Sequence, residues 1–527
     1  MNSIEQDGVW FLPNNPDKKI SGRLTFSKDK PPKLYLLDQL QEIQFDNIIP
    51  SQFEIDVING YLVNGKKVTL CHCYQSISFK TGIQTSEIYA KYLLVGHHFK
   101  TLEEVSLKGV SLRYKNLENW INLPNFEIKW STNEDQNQVK EINVKQTTLE
   151  TVELGKLLGF SLILYDKPIE LMRLQLANFF GNIGRKITLE ERKSVIIRSD
   201  VEKSLEDIID VIYLFQDLLI FASGQVTYPY EIQSSIAVIE KEFTVPDNIA
   251  LNIMAGLIEP TQSAKSNLGF EFHTFGEDIK AVEEEKEKII IIEIYFQLVE
   301  VDNLEISFDP KRVLFNFKEV KNQFEELLGL WEQNSKELKS IIDIYLRLTY
   351  IPKRHINDFF LSLAQAIEAF HSLAHDGRYI DEQVYKKVVG ATLKEAVNSI
   401  PDSVSIENGE KSLDLREYKR ILREEKFSQL NSYSLRERLK EIISEYRYCL
   451  PDNFFASPEE QDSFLKNIKN TRNYLTHLSS RKDKYVVSGQ DLLILSRKLK
   501  VLLEVCLLKQ LGLKDLDIKT ITRNRCN

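Results

Sequence analysis

The chain has 527 residues, 43% of them hydrophobic and 28% charged, with a formal net charge of −9. That length exceeds what one hydrophobic core usually spans, so two or three domains are expected, and the composition is that of a folded soluble protein rather than a disordered one. The negative total excludes nucleic-acid binding through overall charge, so any such site has to be a local basic patch with salt-sensitive binding.

To about residue 145 the sequence alternates in short apolar runs, Lys19–Ser27, Phe53–Val57, Tyr61–Leu70 and Glu104–Tyr114, with turn clusters Pro13–Asp17 and Asn64–Lys66 between them. Period-two alternation with frequent turns predicts antiparallel strands in a sandwich or a curled sheet. Residues 146–315 read as mixed α/β. Leu189–Leu219 has a helical pattern, Gly224–Tyr230 gives a turn and a short strand, and the charged run Glu283–Lys288 reads as a solvated helix end. Ile289–Phe296 has the β-branched content of a buried strand.

From about residue 316 the texture is helical. Candidate helices are Lys318–Asn334, Ser335–Thr349, His355–His375, Asp381–Ser399, Ser434–Cys449, Pro458–Leu478 and Ser488–Leu511, and 401–409 reads as a loop. Ser457 before Pro458, Glu459 and Glu460 is a helix start, and Gly512 suits a C-cap. The fold class is therefore α+β multidomain: a β-rich region over 1–145, a mixed segment over 146–315 continuing it, and an all-α bundle over 316–527.

Near the end of the penultimate long helix, residues 470–478 bring together Arg472, Asn473 and His477. Composition alone supplies about 0.3 Arg-x4-His matches in such a chain, and roughly 0.02 once Asn must follow the Arg. Cleaving RNA without a metal needs a base for the 2′-OH proton, a cation for the developing phosphorane charge and donors that fix the phosphate. His477 suits the acid/base role, Arg472 the oxyanion and Asn473 a hydrogen bond to phosphate or imidazole. On one straight helix Asn473 and His477 lie about 40° apart, but Arg472 and His477 about 140°. Either the helix end distorts or a second copy completes the site across a two-fold axis.

Between residues 461 and 500 stand nine cations, Lys466, Lys469, Arg472, Arg481, Lys482, Lys484, Arg497, Lys498 and Lys500, against Asp462, Asp483 and Asp491. Lys469, Arg481, Lys482 and Lys484 are candidate phosphate contacts, and Tyr474 and Tyr485 candidate base-stacking platforms. The bland alternative is cations placed to favour a helix C-terminus. Gln365 and Glu368 on the earlier helix are candidate supporting residues.

The Arg-Asn-x3-His motif between two long helices, with the helix Ile356–His371 before it, resembles the HEPN superfamily. The opening GVWFLP…KISGRLTFS ahead of such a domain resembles the ApeA family of bacterial phage-defence proteins. The resemblance implies an α-helical ribonuclease domain, products with a 2′,3′-cyclic phosphate and a 5′-OH, and work as a homodimer or higher even oligomer. It also implies a phage-derived trigger acting through a β-rich sensor, with growth arrest as the outcome. No cofactor or metal is implied. The RNA is open: tRNA, mRNA and rRNA all qualify. Other readings are a catalytically silent helical module that docks RNA or a protein, and a ligand- or carbohydrate-binding β-rich region dimerised by the helices.

The remaining features read as structure. His371 and His375 at i and i+4, with His355, are expected on helix surfaces, lacking the accompanying ligands of a zinc site. Cys71 and Cys73 share a strand face from which His72 points away, with no second ligand pair following. Arg420, Arg423, Arg436 and Arg438 among Glu424, Glu425, Glu437 and Glu441 suggest ion-paired solvent faces. Five scattered cysteines fit a reducing compartment, and the N-terminus lacks a signal peptide's pattern. The apolar stretches Ile208–Ala222 and Ile289–Val299 are broken by acids or too short to cross a bilayer, so a cytoplasmic location is expected.

Overall fold

The alternating runs of the first hundred residues form β1 Ile4–Leu12, β2 Asn15–Ser27, β3 Lys30–Leu36, β4 Phe53–Leu62, β5 Lys67–Lys80 and β6 Ile83–Val95. The computed structural model describes residues 3–523 and 525, apart from 42–52, 81–82, 125, 133–138, 147–150, 167–169, 180–181, 191, 245–270, 275–276, 281, 298–306, 352–354, 406–411 and 478–483. These antiparallel strands pair in the order β6-β3-β2-β1-β4-β5, and β5 returns to β6, so the curled sheet closes into a barrel. Closure leaves few free edges. Trp10, Leu24, Leu34, Ile58, Leu70 and Ile88 fill its interior.

β6 is long enough to serve two neighbours on one side. Its residues 86–89 pair with β3, and its residues 92–95 pair with a much later strand. Through that second pairing the sheet leaves the barrel. It takes in β7 Ser106–Tyr114, then, past the hairpin β8 Phe126–Thr132 and β9 Val139–Gln146, the strands β10 Val152–Leu157 and β11 Phe160–Asp166. A second hairpin, β12 Glu170–Phe179 and β13 Asn182–Glu190, precedes β14 Lys193–Ser204 and β15 Pro229–Thr244; the pair β16 Glu271–Thr274 and β17 Glu277–Lys280 precedes β18 Val282–Phe296. The twelve-stranded sheet runs β10-β11-β14-β7-β15-β18-β6 into the barrel, so strands from both sides of residue 145 share it.

Three local expectations are corrected here. Helix does not begin at Leu189: β14 buries Val195, Ile197 and Ser199 on alternate positions and exposes Arg198 and Asp200, a period-two pattern hidden in apolar triplets that also fit a helix. Glu283–Lys288 is strand, not a helix end, paired in register with Phe243 back to Val238 of β15. Ile289–Phe296 is buried on one face only, with Ile289 and Ile291 exposed while Ile292, Ile294 and Phe296 are covered.

After the short α1 Leu117–Ile121, helix α2 Leu205–Ser223 lies between layers. Ser204 caps it, its hydroxyl accepting from the Asp207 N–H at 3.1 Å, with Glu206 and Asp207 in the first turn. Apolar residues surround it, as suits a helix covered on both sides. The Tyr114 hydroxyl of the sheet donates to the Ile212 carbonyl at 3.1 Å, and the Trp331 indole of the helical region donates to the Leu214 carbonyl at 2.9 Å.

The helical region contains α3 Phe324–Glu337, α4 Lys339–Tyr350, α5 Ile356–Ala374, α6 over 382–398, α7 over 416–429, α8 Leu435–Glu445, α9 Pro458–His477, α10 Gly489–Gln510 and α11 Asp515–Thr522. α7 and α11 were not anticipated, and the 401–409 loop contains Ser403–Ser405, which pairs with Ser412–Asp414 as β19 and β20. Gly512, at φ +77°, ends α10 as expected. α5 is the central helix, packed against α4, α8, α9 and α10. One continuous core runs from Leu112 and Ile197 in the sheet through α2 to Phe360, Ile367, Leu499 and Leu502. No helix among the described residues is long and apolar enough to cross a membrane.

Candidate active site

Helix α9 starts where the sequence places it. The Ser457 hydroxyl accepts from the Glu460 N–H at 3.3 Å, and the Glu460 carboxylate accepts from the Ala456 N–H at 2.6 Å. α9 buries Phe464, Leu465, Ile468 and Thr471 along one side. The opposite stripe holds Lys466, Lys469, Asn473 and His477, with Asn473 and His477 exposed.

Arg472 leans off that stripe onto α5. Its Nη2 lies 3.2 Å from Glu368 Oε2, and its Nη1 donates to Asn473 Oδ1 at 3.3 Å. Arg472 and Glu368 are both about one-third exposed, so the pair sits at the solvent boundary with one side of the guanidinium committed. Glu368 thus meets the motif, whereas Gln365, one turn earlier on α5, is exposed with no hydrogen bond to it among the described residues. Thr471 was not singled out from the sequence. Its hydroxyl accepts from the Val487 N–H at 3.1 Å and pins the chain beyond 478–483 back onto α9. The one signal for it is a polar β-branched residue on the buried face of an amphipathic helix.

The local basic excess is smaller than a linear window suggests. Lys466 pairs with Asp462, Lys498 with Glu460, Lys500 with the buried Glu504 and Arg472 with Glu368. Three of those carboxylates lie outside 461–500: Glu460 and Glu504 at its margins, and Glu368 on α5. Lys469 and the exposed Lys484 carry no ion pair among the described residues. Lys484 and Lys466 place their ammonium groups 4.9 and 5.3 Å from the centroid of the Tyr485 ring. Tyr474 is half-buried beside the motif, and Arg481 and Lys482 lie outside the described residues.

The histidine expectation holds for the exposed His355 and is corrected for His371 and the half-buried His375. His371 is fully buried, with Nε2 2.7 Å from Glu441 Oε2 and Nδ1 3.2 Å from Arg438 Nη1. A guanidinium only donates, so Nδ1 accepts and Nε2 carries the proton to Glu441. Burial, reinforced by His375 and Arg438, holds this imidazole below its ordinary pKa despite Glu441. His375 stacks on it, ring centroids 4.7 Å apart, and faces Glu445 at 3.2 Å. These contacts fasten α8 to α5, because Arg438 also donates to the Ser372 hydroxyl. Arg438 and Arg436 therefore reach other helices rather than neighbouring acids alone; Arg436 lies 2.6 Å from Asp462 on α9. Arg420 does pair locally, with Glu417 and Glu424.

Cys71 and Cys73 do not act as one face. His72, at φ +53°, turns the strand and sets its Nε2 2.8 Å from Glu206, while Cys71 enters the main core and Cys73 the barrel core. Both are free and buried, and burial pushes the Cys71 thiol up to about 12. Among the described residues no group of three or more His, Cys, Asp or Glu is placed to hold a metal ion. An open cleft of about 890 Å³ lies on the barrel wall beside Tyr35, Tyr61 and the Arg23–Asp7 pair, and holds none of the motif residues.

The family model for ApeA N-terminal domain 1 matches residues 5–331, and that for Apea-like HEPN matches residues 361–516. The chain belongs to the ApeA family. The first ApeA match takes in the barrel, the rest of the sheet, α2 and much of α3. The second opens within α5 and closes at the start of α11, so Glu368, Arg472, Asn473 and His477 of this ApeA-family chain all lie in its HEPN region. No curated protein and no solved structure matches the chain.

Proposed function

We propose that the chain is a metal-independent HEPN endoribonuclease. The observation that carries this reading is Arg472, held by Glu368 and Asn473 at the margin of the exposed stripe that presents His477. The 2′-oxygen of RNA attacks the adjacent phosphorus while His477 accepts its proton. Arg472 and Asn473 bind the phosphorane oxygens, the bond from phosphorus to the 5′-oxygen breaks, and that oxygen leaves as a 5′-OH after taking up a proton. The other product carries a 2′,3′-cyclic phosphate. Lys469 on the stripe and Lys484 are available to the RNA backbone, Arg481 and Lys482 are further candidates from the sequence, and Tyr474 is available for stacking.

Arg472 is turned toward α5 and His477 toward solvent, so a homodimer or higher even oligomer supplies the complementary groups to each phosphate. Residues 1–145 and 146–315 act together as sensor and regulator, a division favoured by the sheet they share, and 316–527 as the nuclease. In this reading the protein works in the cytoplasm, a phage-derived trigger releases the nuclease, and RNA cleavage arrests growth. The RNA class, tRNA among the candidates, is for end-mapping to identify.

His477→Ala and Arg472→Ala should each lower cleavage of total RNA at least about 10²-fold with unchanged circular dichroism. EDTA should leave wild-type cleavage intact, and the cut ends should carry cyclic phosphate. Wild-type cleavage by both variants would sink the assignment.

A further inference from the structure

Toward the start of α9, the exposed stripe that bears His477 collects a second group of cations. Lys466 stands three turns before His477, about 16 Å away at 1.5 Å per residue. One turn earlier, Asp462 is shared by two cations. Arg436 reaches it from α8 at 2.6 Å, and Lys466 along the helix at 2.7 Å. Lys484 arrives from beyond α9. The Thr471 hydroxyl, accepting from the Val487 N–H, holds the returning chain against the helix, and Tyr485 comes to lie beside Lys466. The Lys466 and Lys484 ammonium groups stand 5.3 and 4.9 Å from the centroid of that one ring.

The local carboxylates do not balance this group. Besides Asp462, Glu437 lies 3.9 Å from Arg436, at the limit of an ion pair, and accepts from the Ser434 hydroxyl. Lys484 has no ion pair among the described residues, nor does Lys469, which stands between the group and Asn473. Four cations, Arg436, Lys466, Lys469 and Lys484, against two carboxylates leave +2 on a chain whose total is −9. Arg436 Nε is buried and meets no acceptor among the described residues, so a hydrogen-bond donor is left over as well. Two ammonium groups gathered on one ring repel each other, and an aromatic face offsets only part of that cost. An anion seated between them removes the repulsion.

The cleavage chemistry says which anion runs along this stripe. The 2′-oxygen has to line up behind phosphorus, opposite the leaving 5′-oxygen, and A-form pairing holds it out of that line, so the RNA at His477 is unpaired. An extended strand covers the distance from His477 to Lys466 in about four nucleotides, the low end of the site sizes of single-strand readers. We infer that Lys466 and Lys484, set in place by Tyr485, form a second phosphate subsite that holds the RNA backbone about three nucleotides from the cut. Lys469 meets the strand between the two points, and Arg436 positions Asp462 and through it Lys466. The inference rests on the nuclease reading of His477, and gives that site its substrate class, single-stranded RNA, and its reach.

Binding is read with 2′-O-methyl RNA, which has no free 2′-OH to attack, so the measurement does not depend on cleavage. Wild type should bind a strand of about twelve nucleotides at least about tenfold more tightly than one of about two. Lys466→Gln/Lys484→Gln alters solvated side chains and should keep its circular dichroism. It should lose most of the affinity gained with length, and its plot of log affinity against log salt should flatten by about 0.7 for the one phosphate released. With cleavable RNA the same loss should appear in KM. Lys336→Gln/Lys339→Gln, an equal change of charge where α3 meets α4, should bind as wild type does. An unchanged salt dependence in the first double variant, an equal loss in the second, or wild-type affinity that does not grow with strand length overturns the subsite. Persistent cleavage by His477→Ala sinks the nuclease reading instead, and the binding comparison still decides the subsite.

Discussion

Arg472 is held before any substrate arrives. Glu368 takes one edge of its guanidinium and Asn473 another nitrogen, which sets the fork; in the proposed nuclease that carboxylate competes with phosphate. Glu368→Gln should leave the unfolding midpoint within about 1 kcal/mol of wild type, since the pair is partly solvated. Cleavage should fall about tenfold through kcat if positioning dominates, with RNA affinity unchanged or tighter once the competing charge is gone; single-turnover kinetics separate the two. Asp217 on α2 makes a different prediction. Burial, then Asp343, raises its carboxyl to about 7 against the opposing Lys339. A raised acid disfavours the folded state as pH climbs from about 4 through about 7, because the unfolded chain releases the proton first. Asp217→Asn should raise the melting midpoint by a few degrees at mildly alkaline pH and have no effect near pH 4; a constant difference at both would refute this origin. The residue types at the motif were legible in sequence. Glu368's contact and the burial of His371 were not, because both depend on which helix lies opposite.

Element boundaries were legible where a local signal fixes them. Ser457 caps α9 and Gly512 closes α10, both by contacts within a few residues. Ser457→Ala should therefore cost about 1 kcal/mol, read as a lower denaturant midpoint with an unchanged slope; no shift would mean that Glu460, bonded to the Ala456 N–H, suffices alone. β14 and α2 adjoin within the single stretch read as helix, and the join at Ser204 is where the chain passes from sheet to covering helix. Apolar triplets satisfy both periods, so tertiary covering chose between them.

At the scale of the molecule the last residues matter. Glu504 on α10 is fully buried and meets Arg525, 3.0 Å away, Lys500 at 2.8 Å and the Tyr345 hydroxyl at 2.9 Å. Arg525 also donates to the Arg312 carbonyl at 2.7 Å, tying the chain end to the segment that leaves the sheet. Burial alone would raise Glu504, but Arg525 and Lys500 bring it down to about 2. Its contribution is present above about 4.5 and is lost as pH falls toward 2. Arg525→Ala should destabilise by about 3 kcal/mol at neutral pH, and the difference should shrink below pH 4.5. An equal loss at every pH would assign the effect to packing. One core joins sheet, α2 and bundle, so the packing of the sheet region is continuous with that of α5.

By itself the sequence determined what short-range physics controls: the alternation that makes strands, the caps that bound α9 and α10, and the adjacency of Arg472, Asn473 and His477. Tertiary structure decided what depends on partners distant in the chain. β5 returns to β6 and closes a barrel, and β18 joins the sheet to β6 after nearly two hundred intervening residues. Likewise, Glu368 and Glu460, each on a neighbouring helix, engage Arg472 and Lys498 of the basic run. Local pattern encodes the period and the cap; which faces meet is set by where the whole chain finds room to bury them.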